Sequence, residues 1–313
     1  MIERLESRLD LFVSSWPAVL RAAFYQYTRA TQKRLSVVEA AYPKRLTLPY
    51  WHFMPGWILG ANRKNQSLRN FSKHFLEDVL WGQYCLFLSV RVKDDLFDRQ
   101  AHDPLLLFVG EQFALEAERV YSTYFFKSDS FWKFYRKFLR ETIEGIVEVN
   151  AFQRGRWHKR RRLLEAYARV SAIFKVGSVA VCLRTRRAGL LPSIQRTLDE
   201  LAIAGQILDD FMDIAEDYKQ NRINFAASVF LDAGSKDHKR SGNDLKQIVR
   251  GFLQTDAEER VFTIISQHLA NALEEAKQLR LPPLERMILH YQQSIQLIEK
   301  SVYQGRVKRI FSL

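Results

Sequence analysis

Apolar residues along most of this chain recur every three or four positions, the period of an α-helix and not the alternation of a strand. The pattern predicts one or two amphipathic helices over residues 1–40, broken at Pro17. A Pro- and aromatic-rich connection follows over 43–60 (PKRLTLPYWHFMPGWILG), read as a packed corner. A long helix runs from Ser67 to about Asp98, and Asp103-Pro104 starts another over about 105–126. Further helices are expected from about Ser130 to Phe152 and over Leu163–Arg184. Ala188 to Pro192 reads as a break, and Asp199–Phe225 as one long helix. A polar linker over Asp232–Asp244 leads to two amphipathic helices, about 245–278 with an interruption near Thr255, and 283–304; the basic tail GRVKRIFSL folds over a phosphate site or frays. Strand alternation never exceeds a few residues, and no fixed period marks a solenoid. The expected fold is all-α: a single domain over 1–313, with the helices of 1–60 packed on it.

One helix departs from ordinary amphipathic character. In DELAIAGQILDDFMDIAEDYKQNRINF, residues 199–210 are apolar apart from Asp199, Glu200, Gln206 and the Asp209-Asp210 pair, as in a buried helix. Asp209 and Asp213 project the same way, and so do Asp213 and Asp217. Stacked carboxylates on such a helix repel and desolvate one another unless a cation compensates. Asp94, Asp95 and Asp98 in KDDLFDR repeat the DDxxD spacing of Asp209, Asp210 and Asp213. A single DDxxD is commonly a solvated acidic face. Two copies, each closing an apolar helical run, point to a shared metal–diphosphate site. Hard oxygen ligands on rigid elements suit Mg²⁺, which keeps several waters and shares a substrate phosphate. Before the first copy, Gly82, Leu86, Val90, Asp94 and Asp98 follow at i+4 steps, a stripe drifting about 40° per step. It is apolar below and acidic at the top. That suits the wall of a greasy pocket with a metal site at its mouth, or a core stripe ending in a surface acidic cap. Lys175 and Gly177 lie in another apolar run. A buried Lys needs a counter-anion to keep its charge, whereas a snorkelling one does not.

The net charge of +13 favours anionic partners: nucleic acid, an anionic membrane surface or a phosphorylated small molecule. Two acidic clusters on a basic protein fit a phosphorylated substrate with divalent cations. The basic residues form no recognised nucleic-acid motif, so nucleic acid is not the expected partner. The block RGRWHKRRR (Arg154–Arg162) reads as a solvated loop and helix start, with a peripheral membrane or polyanion contact as the sharper alternative. GxSxG, P-loop, GxGxxG, CxxC and HExxH motifs are absent, and the 7 histidines lack ligand spacing, which argues against zinc. Cys85 and Cys182 sit in apolar runs and read as buried thiols of a reducing compartment. MIERLESRLDLF lacks a secretory apolar core, and the longest uncharged run, Leu46–Asn62, is too broken to span a bilayer. The expectation is a cytoplasmic protein.

These residues carry a resemblance. Over about residues 67–225 the chain resembles the trans-isoprenyl diphosphate synthase branch of class I terpenoid enzymes. Gly205-Gln206-Ile-Leu-Asp209-Asp210-Phe-Met-Asp213 is similar to the helix of that family's second aspartate-rich motif, and Asp94-Asp95-Leu-Phe-Asp98 to the first. YARVSAIFKVG (Tyr167–Gly177) resembles the helix where a Tyr precedes Lys-Thr-Gly, with Val176 in place of the Thr. The resemblance implies a class I terpenoid synthase bundle of ten or more helices around a central active-site cavity, with both motifs facing across its mouth. It implies three Mg²⁺ ions gripping an allylic prenyl diphosphate. Asp94 and Asp98 would ligate two ions and Asp209 the third, with Asp213 in support and Asp95 and Asp210 completing the acidic sets. Lys175 would hold the diphosphate, and Gln206 would steady the developing allylic cation. Asn221, Arg222 and Asn224 are candidate polar contacts to the diphosphate. Leu86, Ser89 and Val90 would line the pocket. The family limits chain length with bulky residues four and five positions before the first motif. Val90 and Ser89 stand there, which suggests a substrate of about C20 or longer. The family often forms homodimers.

Two departures shape the functional expectation. Chain-elongating members have a Gly-Lys-Arg turn before the first motif and Arg-Arg-Gly after it, binding the second diphosphate. Here RQAHDP follows Asp98, and Arg63-Lys64 in GANRKN is a poor upstream match. The Gly-Lys usual after the second motif is replaced by EDYKQNRINF. The expectation is therefore a Mg²⁺-dependent terpene synthase that ionises one allylic diphosphate, cyclises or rearranges the cation and releases diphosphate. The alternative is a prenyltransferase that condenses the allylic diphosphate with isopentenyl diphosphate, using Arg63, Lys64 and Arg99. A second alternative is a non-catalytic helical protein that binds anionic surfaces.

Overall fold

The computed structural model describes residues 2–39, 50–61, 73–154, 160–220, 222–234 and 256–311. Among these, every regular element is helical and no strand occurs. Pro17 divides the first amphipathic stretch as expected, into α1 (Ile2–Ser14) and α2 (Ala18–Glu39). The 50–60 segment is not a connection but a helix, α3 (Tyr50–Gly60), with Pro55 inside it. A proline has no N–H for the carbonyl four residues back, here that of Trp51. The Gln83 amide supplies the missing donor: its Nε2 donates to the Trp51 carbonyl at 3.0 Å. The long apolar run becomes α4 (Lys73–Phe97), followed by α5 (Leu105–Ser122) and α6 (Ser130–Gln153).

The expected helix over 163–184 is interrupted. α7 (Arg160–Val170) gives way to a 3₁₀ turn (Ala172–Lys175) and then α8 (Val176–Arg184), with a bend of 45° between the two halves. The cause is a competing hydrogen bond. Thr142 Oγ1 accepts the Ile173 amide at 2.9 Å in a buried position, taking the donor a straight helix would have used.

The acidic helix also has other bounds than its apolar pattern indicated: α9 runs Leu191–Lys219, starting earlier and ending before Phe225. Asn224 stops it. Its Oδ1 accepts the Ala227 amide at 2.8 Å, as an N-cap of the next helix, α10 (Phe225–Gly234). Its Nδ2 donates back to the Asp210 carbonyl and to Asp217 Oδ2, each at 2.7 Å. α11 (Ala257–Leu279) and α12 (Pro282–Phe311) complete the order, and the basic tail through Phe311 is helical. The linker over 235–244 lies outside the described residues.

The chain divides into two compact units. The first holds α1 to α5, the start of α6 through Arg136, and α8. Its core is aromatic: Trp16 and Phe24 pack on Phe113 with ring centroids 5.1 and 5.4 Å apart, and Trp81 is fully buried. The Trp81 indole N–H donates to Glu116 at 2.7 Å, so its polar end is satisfied. Cys85 and Cys182 are buried thiols, as the sequence suggested. The second unit holds the rest of α6, α7, α9, α10, α11 and α12. α9 packs against α7, α10 and α11, burying Ile207, Phe230, Phe262 and Ile265. Among the described residues no single helix is long and apolar enough to cross a membrane.

Candidate functional site

The first motif occupies the last turn of α4, in the first unit. Three carboxylates gather at the negative end of a helix dipole, which is unfavourable unless cations offset them. The helix closes here: the Gln100 and Ala101 amides return to the Asp95 carbonyl at 2.8 and 3.0 Å, and Arg99 takes a left-handed φ of 60°. Asp94 and Asp98 are half-buried and stand about 40° apart around the axis. Asp95 differs. It is 1 % exposed, accepts the Tyr27 hydroxyl at 2.9 Å, and pairs with Arg91 at 3.1 Å. Burial, reinforced by the Asp95 charge, pushes the Tyr27 phenol up to about 12, so it remains a donor.

The second motif lies on α9, in the second unit, with the same division of labour. Asp209 and Asp213 are exposed and share one side of the helix. Asp210 is buried, and its Oδ2 accepts both the Tyr167 hydroxyl and the Phe225 amide, the latter at 2.7 Å. Burial pushes the Asp210 carboxyl up to about 8, against the lowering effect of those two donors. The Asp213 carboxyl is raised by burial and then by the neighbouring Asp217 and Glu216 charges.

Lys175 is buried, and its counter-anion is Asp199, ten residues before Asp209 on the same acidic helix. Its ammonium also lies 5.6 Å from the Phe138 ring centroid. Neither partner carries a sequence mark that identifies the pair. Gly177 matters for closeness. A Cβ there would stand 1.7 Å from Gln83 Oε1 and 3.2 Å from Pro55 Cγ, so α3, α4 and α8 meet where only glycine fits. Gln206 is half-buried on α9, Leu86 and Ser89 are buried on α4, and Val90 is half-buried. Gly82, at the base of the expected pocket stripe, faces the Tyr121 ring, which a Cβ would meet at 3.0 Å. The drift of the i+4 stripe turns that end into the core. Arg222 is half-buried, and Asn221 lies outside the described residues, as do Arg63 and Lys64. Asn224 is buried, with both side-chain atoms engaged in the helix junction.

Among the described residues no three His, Cys, Asp or Glu side chains are gathered closely enough to enclose a metal on their own. Mg²⁺ does not need such a cage. It binds through one or two carboxylates and completes its octahedron with waters and substrate phosphates. The accessible outer aspartates fit that requirement.

No protein-family model matches the chain, and no curated protein matches it. Solved structures do. A decaprenyl diphosphate synthase from Rhodobacter capsulatus aligns with a TM-score of 0.63 at 13% identity, covering 96% of this chain and 99% of that one. A geranylgeranyl pyrophosphate synthase from Corynebacterium glutamicum, complexed with isoprenyl diphosphate and magnesium, aligns at 0.63 and 14% identity, covering 93% and 98%. A polyprenyl synthase from Roseobacter denitrificans aligns at 0.60 and 14% identity, covering 90% and 97%. This chain has the fold of the prenyl diphosphate synthases. The likeness spans nearly the whole of each chain, so the N-terminal helices belong to the shared fold too.

A basic pair passed over in the sequence gains interest here. Lys44-Arg45, in PKRLTLP, precedes α3. A search for Gly-Lys-Arg misses it because Pro43 stands in the glycine's place, and the pair lies outside the described residues.

Proposed function

We propose that this protein is a Mg²⁺-dependent enzyme that ionises an allylic prenyl diphosphate and passes the cation to isopentenyl diphosphate. The carrying observation is the matched build of the two motifs: in each, the inner aspartate is buried on a tyrosine and the outer two are less buried, half-buried in the first motif and exposed in the second. Such an arrangement presents a pair of oxygen ligands at a fixed angle, which a metal-bound diphosphate requires. Asp94 and Asp98 would hold Mg²⁺ in one unit, and Asp209 and Asp213 in the other, with three ions in all by analogy to the family. When bound, the ions supply Lewis-acid stabilisation of the departing diphosphate. Lys175 would contribute positive charge to that group, with Asp199 as its ion-pair partner. Gln206 would face the cation with its amide oxygen.

Transfer is preferred over the cyclisation expected from the sequence, because the structural neighbours named above are prenyl diphosphate synthases. Lys44 and Arg45 are the proposed contacts to the second diphosphate. Cyclisation stays as the second reading on one observation: Arg99 stands where the elongating enzymes have an arginine pair.

The test is incubation with Mg²⁺ and allylic diphosphates of several lengths, with and without isopentenyl diphosphate, read by mass spectrometry. Longer diphosphates formed only with the second substrate support transfer. Hydrocarbon or alcohol release without it supports cyclisation. No turnover in either arm, with full activity of a known synthase in parallel, rejects both and leaves the anionic-surface protein.

A further inference from the structure

Each aspartate motif contains one buried residue beside two that are less buried. On a helix, neighbouring residues are about 100° apart, so Asp95 stands about 80° round the axis from the middle of the Asp94–Asp98 pair, and it is the one that is buried. The same holds for Asp209, Asp213 and the inward Asp210. In both cases the inward carboxylate meets a tyrosine hydroxyl from a different helix: Tyr27 of α2 for Asp95, and Tyr167 of α7 for Asp210. The partners are 68 and 43 residues away in sequence, and the two pairs belong to different units, so the match is not one contact seen twice. Each pair has a second restraint. Arg91 holds Asp95 at 3.1 Å, and the Phe225 amide holds Asp210 at 2.7 Å.

We infer that Tyr27 and Tyr167 are positioning residues that set the rotation of α4 and α9 about their axes, and thereby the aim of the outer aspartates at metal-bound diphosphate. The inference rests on the functional reading above. A carboxylate sits about 5–6 Å from its helix axis, so a rotation of about 10° moves it by roughly 1 Å. Misplacement of that size in a reacting or ligating group can cost up to about a hundredfold. A buried pin on the flank of the ligand pair limits such rotation. Neither tyrosine touches substrate or metal in this scheme. The inner aspartates are acceptors for the pin, not ligands.

The experiment is calorimetric titration of inorganic pyrophosphate into the full-length protein over a series of Mg²⁺ concentrations, alongside thermal unfolding. Tyr27→Phe and Tyr167→Phe are each expected to raise the Mg²⁺ concentration for half-maximal pyrophosphate binding by about three- to tenfold. Tyr124→Phe is the control. It removes a tyrosine–carboxylate bond of the same kind, Tyr124 to Asp78 at 2.5 Å, away from either motif. That bond is only part-buried, so the variant should lower the melting temperature by no more than the other two and leave the Mg²⁺ dependence alone. Asp95→Asn and Asp210→Asn keep an oxygen for the tyrosine proton, so each should weaken binding less than Asp94→Asn or Asp209→Asn. These variants carry the test if a tyrosine variant does not fold. Wild-type binding with unchanged Mg²⁺ dependence in both tyrosine variants overturns the inference, as does an inner-aspartate loss equal to the outer one. Failure of the wild type to bind Mg²⁺ and pyrophosphate overturns the functional reading instead.

Discussion

Gly177→Ala offers a sharp test of how α3, α4 and α8 are fitted together. The new methyl would stand 1.7 Å from Gln83 Oε1 and 2.9 Å from its Cδ, so the Gln83 amide must move. That amide cannot move without consequence, because its Nε2 supplies the hydrogen bond that Pro55 denies to the Trp51 carbonyl. Losing the bond costs about 1 kcal/mol, and leaving a buried carbonyl unsatisfied roughly 1–3 kcal/mol. Overpacking against Pro55 adds about 1 kcal/mol at the low end of its range. Replacing Gly in a helix returns up to about 1 kcal/mol, less at the second residue of α8. The net expectation is a loss of about 2–4 kcal/mol.

Urea unfolding followed by tryptophan fluorescence reads this directly, since Trp51 is buried at the junction. The mechanism makes a stronger demand than the magnitude. Gln83→Ala alone should destabilise by exposing the same carbonyl to an apolar surround. In the Gly177→Ala background it should cost much less, because the bond is already gone and the clash is relieved. Pro55→Ala should likewise make Gln83→Ala cheap, by restoring an N–H for Trp51. A Gly177→Ala loss under about 0.5 kcal/mol, or additive effects of Gly177→Ala and Gln83→Ala, would refute the reasoning.

Lys175→Met strands Asp199 without its cation and should cost about 2–4 kcal/mol in urea unfolding. Adding Asp199→Leu should recover most of that stability but not turnover, separating the structural pair from the diphosphate contact. Asp210 gives a pH signature. Its folded carboxyl lies at about 8, above its ordinary 3.8, so the folded state binds the extra proton between those values. Stability measured with a chelator present should therefore fall as pH rises from about 4 to 8, each pKa unit contributing about 1.4 kcal/mol at most, and Asp210→Asn should flatten the slope. Parallel slopes for the two proteins would rule this out. Chelation should abolish turnover and Mg²⁺ restore it. Asp94→Ala and Asp209→Ala should each lower kcat by about a hundredfold or more, with little change in urea midpoint for the exposed Asp209 and a larger one for the half-buried Asp94.

The helical class and most helix positions were legible in the sequence because they follow from a local period. Pro17 broke a helix where expected, and the apolar runs ending in Asp98 and around Asp209 both formed. What periodicity misread depended on partners distant in sequence. The helix over 163–184 looked continuous, since nothing near Ile173 shows that Thr142 will take its amide. The 50–60 segment looked broken by Pro55, since nothing near Trp51 shows that Gln83 will replace the lost donor. The acidic helix appeared to run on to Phe225, although Asn224, a residue type that caps helices, was visible before Phe225 and the apolar run that follows it.

The candidate site shows the same boundary more finely. DDxxD spacing fixes the angles between the three carboxylates but not which of them faces the core, so all three were metal candidates and only the resemblance ranked Asp94, Asp98 and Asp209 first. The choice is made by Tyr27 and Tyr167, each on another helix. Tyr167 could be found, because it opens the stretch that leads to Lys175 and Gly177. Tyr27 could not: it is one of three tyrosine and phenylalanine rings within Phe24–Tyr27, and only packing distinguishes it from Tyr25, which is exposed. On the inference drawn above, each DDxxD would supply two ligands and one buried acceptor. Asp95→Asn and Asp210→Asn test that division, since an amide can satisfy a tyrosine but is a poor substitute for a carboxylate on Mg²⁺.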